Sequence, residues 1–178
     1  MRNSAITFEP VKRDDVALLR EWMDLPHWRQ WWGDPETEIA DVIAMLNGED
    51  CTRPFLFHLD RTPVGYIQVW SIGPHQNDEW FAKAQWLAHL PSHAVGVDLS
   101  VGPADHLGQG LGTRALTLFV EKLRAEGHDT IIIDPDPGNG RAVAAYRKAG
   151  FVPLALAPDS MPDVIIMQHL PKNTQVAA

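Results

Sequence analysis

Apolar and small or polar positions alternate most regularly from Ala94 to Val101, putting Val95, Val97, Leu99 and Val101 on one face of an extended chain. The spacing predicts a strand. Gly108, Gly110 and Gly112 follow as a glycine-rich turn, and TRALTLFVEKLRAEG then carries a helical pattern. Upstream, Ile6 to Val11 reads as a first strand. Asp14 and Asp15 precede a helix in which Val16, Leu19, Trp22 and Met23 share a face, with either aspartate as its N-cap and Pro26 as its stop. Trp28, Trp31 and Trp32 recur at helical spacing, which suits a tryptophan-sealed corner or a flat wall for a substrate ring. Asp34 opens a helix through Glu36, Ile39, Val42, Ile43 and Leu46 that closes near Asn47 and Gly48. Phe55–Leu59 and Val64–Trp70 predict a hairpin turning through Asp60, Arg61, Thr62 and Pro63.

The stretch SIGPHQNDEWFAKAQWLAHLP is less regular. It reads as an aromatic and acidic insertion covering a ligand cleft, or as an amphipathic lid helix with buried tryptophans. Beyond the central helix, Thr130–Asp134 is a near-continuous apolar strand of the kind found inside sheets. Pro135, Asp136, Pro137 and Gly138 turn the chain into a short helix, NGRAVAAYRKAGF, in which Asn139, Ala142, Tyr146 and Gly150 lie along one face. Phe151–Leu156 and Val164–His169 predict two final strands, and the residues after Pro171 predict an unstructured tail.

Strand, glycine turn and helix N-terminus together suit an anion. Glycines let backbone N–H groups approach a pyrophosphate, and the helix dipole adds partial positive charge. Taken with the tyrosine helix downstream, the GQGLG loop resembles the GNAT acetyltransferase superfamily. One position departs from its pattern: Leu107 stands where the family often has Gln or Arg. The resemblance implies an α/β (α+β) fold with a central mixed, mostly antiparallel sheet of about six or seven strands. Helices flank that sheet, and a splayed cofactor strand lies in its middle. It also implies one catalytic domain over residues 1–171, with 172–178 as a flexible tail.

Composition narrows the partners. There are 15 basic and 23 acidic residues, for a net charge of −8, which argues against nucleic acid and is compatible with a cationic substrate. Cys51 is the only cysteine, so no intrachain disulfide forms and a reducing compartment fits. No secretion signal and no apolar run long enough for a membrane span are evident, so the expected location is the cytoplasm. His89 and His93 are separated by Pro91, which breaks a helical ligand pair, and no metal is expected.

The implied chemistry is acyl transfer from acetyl-CoA. By resemblance, Gln109, Gly110, Leu111, Gly112 and Thr113 hold the cofactor's phosphates. The backbones of Leu99 and Val101 meet its pantetheine arm, one N–H facing the thioester oxygen. Asn139 contacts the same arm, and Tyr146 protonates or hydrogen-bonds to the departing sulfur. Asp98 alternates away from the valine face toward the acceptor. A free aspartate is a weak base at neutral pH, so Asp98 needs burial or a relaying water, or else has only an orienting role.

The motifs NDEWF, GVDLS, LGQGLGT and DPDPGN, with the earlier Trp31-Trp32-Gly33, further resemble aminoglycoside 6′-N-acetyltransferases. That likeness implies Asp98 as catalytic carboxylate, Asp78 and Asp134 as ammonium-binding groups, and Trp31 and Trp80 as substrate contacts. It predicts a small cationic amine partner and a monomer or homodimer. Two other readings stay open: a siderophore-building acyltransferase acting on an N6-hydroxylysine-type amine, and a non-catalytic acyl-CoA-binding module.

Overall fold

The computed structural model describes residues 5–155 and 164–171. Seven strands are ordered β1-β2-β3-β4-β5-β7-β6 in one sheet, with β1 at Ile6–Pro10, β2 at Arg53–Leu59, β3 at Thr62–Ser71, β4 at Val95–Val101, β5 at Ile131–Ile133, β6 at Phe151–Pro153 and β7 at Met167–His169. The pairs β1–β2, β2–β3, β5–β7 and β6–β7 are antiparallel, whereas β4 and β5 run parallel. The sheet is thus mixed and mostly antiparallel, with the glycine-turn strand β4 fourth of seven. Among the described residues, six α-helices accompany it: α1 at Val16–Met23, α2 at Pro26–Trp31, α3 at Pro35–Asn47, α4 at Asp78–Phe81, α5 at Leu111–Ala125 and α6 at Gly140–Lys148.

Local signals explain several boundaries. Asp34 caps α3 by accepting from the Thr37 N–H at 3.0 Å, Pro35 occupies the first helical position, and Gly48 ends the helix at φ 76°. Pro26 likewise stops α1 by starting α2. The β2–β3 turn is tighter than expected, with Asp60 and Arg61 both at positive φ and Thr62 already in β3. Asp15 holds the N-cap position of α1, as expected, but its side chain makes no capping hydrogen bond to that helix. A 3₁₀ turn over Arg13–Asp15 intervenes, and the Asp15 carboxylate accepts from the Lys12 N–H instead. The last strands are shorter than their apolar runs. The tail 172–178 and the connection 156–163 lie outside the described residues.

The backbone groups into two compact units, Met1–Val69 with Leu99–Ala115, and Trp70–Asp98 with Leu116–Ala178. In the first, Leu19, Trp22 and Met23 of α1 and Trp28 of α2 pack with Ile39, Val42, Leu56 and Tyr66. Trp28 lies 5.1 Å from Trp32 and 6.1 Å from Tyr66, ring centre to ring centre, so the tryptophan repeat seals a helical corner. In the second, Ile72, Trp86, Leu87, Leu90 and Ala94 pack with Ile132 and Ile166. The 71–91 insertion contributes Ile72, Trp86, Leu87 and Leu90 to that core. It forms α4 and a 3₁₀ turn over Gln85–His89 rather than one lid helix. Gln76 ties it together, its side-chain amide donating to the carbonyls of Leu87 and Leu90, each at 2.8 Å.

Candidate active site

Chemistry-bearing groups gather first at the middle of β4. Val95 and Val97 are buried, and Asp98, one position out of phase, is half-buried. The β5 ladder meets β4 only at Val95 and Gly96, so Asp98 lies beyond the paired stretch. Gly96 shares the face of Asp98 by the two-residue period of a strand. A Cβ there would overlap the indole of Trp70, so glycine is what allows that ring to lie against the strand. Trp70 in turn meets His75 edge-on at 5.2 Å and Trp86 at 6.4 Å, and His75 meets Trp80 at 4.7 Å.

Asp134 leaves the end of β5 and Tyr146 projects from α6, and both interact electrostatically with Asp98. Burial raises the Asp134 carboxyl well above its ordinary pKa, and the neighbouring Asp98 charge raises it further. Burial also pushes the Tyr146 hydroxyl far above the usual phenol range, with Asp98 and then Asp134 adding to the shift. The structure therefore assembles two carboxyl groups and a phenol that stays protonated.

The glycine turn follows β4. Gly108 and Gly110 have φ of 77° and 76°, a region that side chains rarely adopt, and no atom lies within 4 Å of where a Cβ would sit on either. The turn is thus open along these glycines. Gly110 accepts the Arg114 N–H at 3.1 Å as α5 begins. A Cβ on Gly112 would stand 3.8 Å from Val101 and 3.9 Å from Leu99, so the start of α5 faces the end of β4. Leu111 is buried and Gln109 folds back to donate to the Asp105 carbonyl at 2.6 Å. From both residues, the backbone is what a ligand could meet. An open turn of glycines at a helix N-terminus fits the phosphates of a coenzyme A.

The other expected positions are less concentrated. Asn139 caps α6, its amide oxygen accepting from the Ala142 N–H at 3.1 Å, so its Nδ2 is the donor left for a ligand. Asp78 is exposed in the first turn of α4. Trp80 is 38% exposed, packed on His75 and crossed by the Lys83 ammonium 5.1 Å from its ring centre. Trp31 is half-exposed at the end of α2, while its neighbours Trp28 and Trp32 form the aromatic corner. His75, Trp70 and Gln76 were not evident from sequence. Each acts through tertiary contacts that no spacing announces. Among the described residues, no group of three His, Cys, Asp or Glu side chains is arranged to hold a metal, and no helix is long and apolar enough to cross a membrane.

The chain matches the acetyltransferase (GNAT) domain family over residues 11–157. It is 31% identical over 156 residues to aminoglycoside N(6′)-acetyltransferase type 1 of Klebsiella pneumoniae, and equally to that of Serratia marcescens, with 84% of this chain and 75% of the relative covered. Its structure is similar to that of AAC(6′)-Ib in complex with paromomycin and acetyl-CoA, with TM-score 0.77, 27% identity and 97% of each chain covered. Likeness to AAC(6′)-Ib in complex with coenzyme A and kanamycin is comparable, with TM-score 0.76, 27% identity, and 96% of this chain and 98% of the other covered.

Proposed function

We propose, for a chain that belongs to the GNAT acetyltransferase family, that it moves the acetyl group of acetyl-CoA directly onto the 6′-amine of aminoglycosides, in the cytoplasm, and so confers resistance to them. The observation that carries the acceptor side is the coupling of Asp98, Asp134 and Tyr146. Such a group suits a polycationic amine that must be held and deprotonated. Likeness to enzymes named for this reaction supports the same assignment.

The division of roles follows from proton affinities. Asp98 and Asp134 bind substrate ammonium groups, and the attacking amine gives its proton to the pair, directly or through a water. Sharing that proton answers the weakness of a lone aspartate as a base: a carboxyl raised by burial and a like charge accepts protons nearer neutral pH. Backbone N–H groups near Leu99 stabilise the oxyanion that forms on the acetyl carbonyl. When the carbon–sulfur bond breaks, Tyr146 donates a hydrogen bond to the thiolate. Full transfer from Tyr146 is unfavourable, because its pKa lies far above the roughly 8.5 of an ordinary thiol. The proton that finally neutralises the sulfur therefore originates from the amine. Gln109, Gly110, Leu111, Gly112 and Thr113 grip the phosphates through their backbone, and Asn139 the pantetheine arm. Trp31, Asp78 and Trp80 make outer contacts with the substrate. Among the groups that interact with Asp98 are an acid, Asp134, and a phenol, Tyr146, which suit an ammonium group better than the carboxylate of a siderophore precursor.

Thiol release from acetyl-CoA tests the assignment. Turnover is expected on kanamycin and tobramycin, which bear a 6′-amine, and not on 6′-hydroxyl analogues. In Asp98→Asn, turnover falls at least ~100-fold while acetyl-CoA affinity stays near wild type. Undiminished turnover in that variant would remove Asp98 from the reaction.

A further inference from the structure

We propose that His27 and Trp28 are positioning residues that fix the glycine turn by clamping a single peptide group at the end of β4. The inference rests on the coenzyme A reading of that turn. The Val101 carbonyl accepts from Trp28 Nε1 and from His27 Nε2, each at 3.0 Å. A carbonyl oxygen can only accept, so His27 carries its hydrogen on Nε2. The same peptide is held on its other side: the Gly102 N–H donates to the Val64 carbonyl at 2.9 Å. Gly102 also lies so close to the Trp22 indole that a Cβ would overlap it. Residues of α1, α2 and β3 thus converge on one peptide plane.

That plane is where β4 ends, and a 3₁₀ turn over Ala104–His106 carries the chain on to Gly108. A Cβ on Gly112 would come within 4 Å of Val101 and Leu99, whereas one on Gly108 or Gly110 would enter open space. The turn takes its aim from its anchored end. Trp28 is fully buried, and its six-residue helix begins at Pro26, whose fixed φ favours the first helical position. The clamp is therefore built on a rigid support, as preorganised binding requires. With its carbonyl committed to α2, Val101 has its N–H as the backbone group to offer a cofactor.

Coenzyme A binding by calorimetry tests this without an acceptor or turnover, alongside circular dichroism to monitor folding. His27→Phe removes one donor, and is expected to weaken coenzyme A binding about 3–10-fold, the size of one lost hydrogen bond. His27→Gln retains an N–H donor and is expected to bind within about twofold of wild type. Adding Trp28→Phe to His27→Phe deepens the loss, and kcat at saturating acetyl-CoA falls less than affinity does. Wild-type affinity in folded His27→Phe would overturn the clamp whether or not the double variant folds. Equal weakening in the Gln and Phe variants would overturn its hydrogen-bonding basis. A wild-type chain that fails to bind coenzyme A would instead overturn the cofactor reading beneath it.

Discussion

A carboxyl that is both dehydrated and set beside a second carboxylate holds its proton to higher pH, and Asp134 meets both conditions. This has consequences for stability and for rate. Because the folded pKa of Asp134 lies above its ordinary 3.8, folding favours the protonated form. Its contribution to stability is full below that ordinary value and is lost as pH rises through the raised folded value. Asp134→Asn removes the penalty of a buried charge. Its melting temperature should therefore exceed that of wild type at neutral pH, and the two should converge in acid toward pH 3.8. Melting curves across that range check the sign; a neutral-pH loss of stability would mean that the charged form is the one the fold favours. The rate profile has its own sign. The raised pKa of Asp134 sets the acidic limb of kcat/KM in the proposed reaction, so in Asp134→Asn that limb should move to lower pH even as the rate falls.

At the scale of elements, the parts written in local chemistry were legible. Asp34 and Gly48 bracket α3, the valine alternation gives β4, and the glycines mark the turn before α5. The half-buried place of Asp98 on β4, out of phase with Val95 and Val97, was legible for the same reason, since a strand turns every second side chain to one face. What was not legible depends on partners far along the chain. His27 reaches Val101 across 74 positions, and Gln76 reaches two carbonyls through its amide. The insertion read either as a cover for a ligand cleft or as one amphipathic helix; it forms three short helical turns, and Ile72, Trp86, Leu87 and Leu90 are buried in a core. Gly96 shows how an element can be specified by a missing side chain. A methyl group there would strike Trp70, which meets His75 and Trp86 edge to face. Gly96→Ala should lower stability by about 1–3 kcal/mol, the usual range for forcing atoms into a packed site. It should also disturb turnover through Asp98, two residues on. Chemical denaturation with parallel thiol-release assays measures both effects. Wild-type stability would mean that Trp70 has another place to lie.

At the scale of the whole molecule, the two proposed substrates have opposite charge and the chain carries a net −8. An aminoglycoside is a polycation and is drawn toward such a surface from a distance. Acetyl-CoA is a polyanion and is repelled, so its grip must be local, through backbone N–H groups at the open glycine turn and the dipole of α5. Salt separates these cases because it screens long-range attraction and repulsion alike but leaves short hydrogen bonds largely intact. Raising potassium chloride from about 50 to about 500 mM should lower kcat/KM for kanamycin by roughly 3–10-fold. The same change should leave kcat/KM for acetyl-CoA level or raise it. Steady-state rates, with the other substrate saturating in each series, give the two slopes. A falling acetyl-CoA slope would place a cationic side chain, in addition to the backbone turn, on the cofactor's phosphates. A flat kanamycin slope would confine recognition to contacts such as those of Asp98 and Asp134, within reach of a bound ammonium, and leave the net charge without a role in capture.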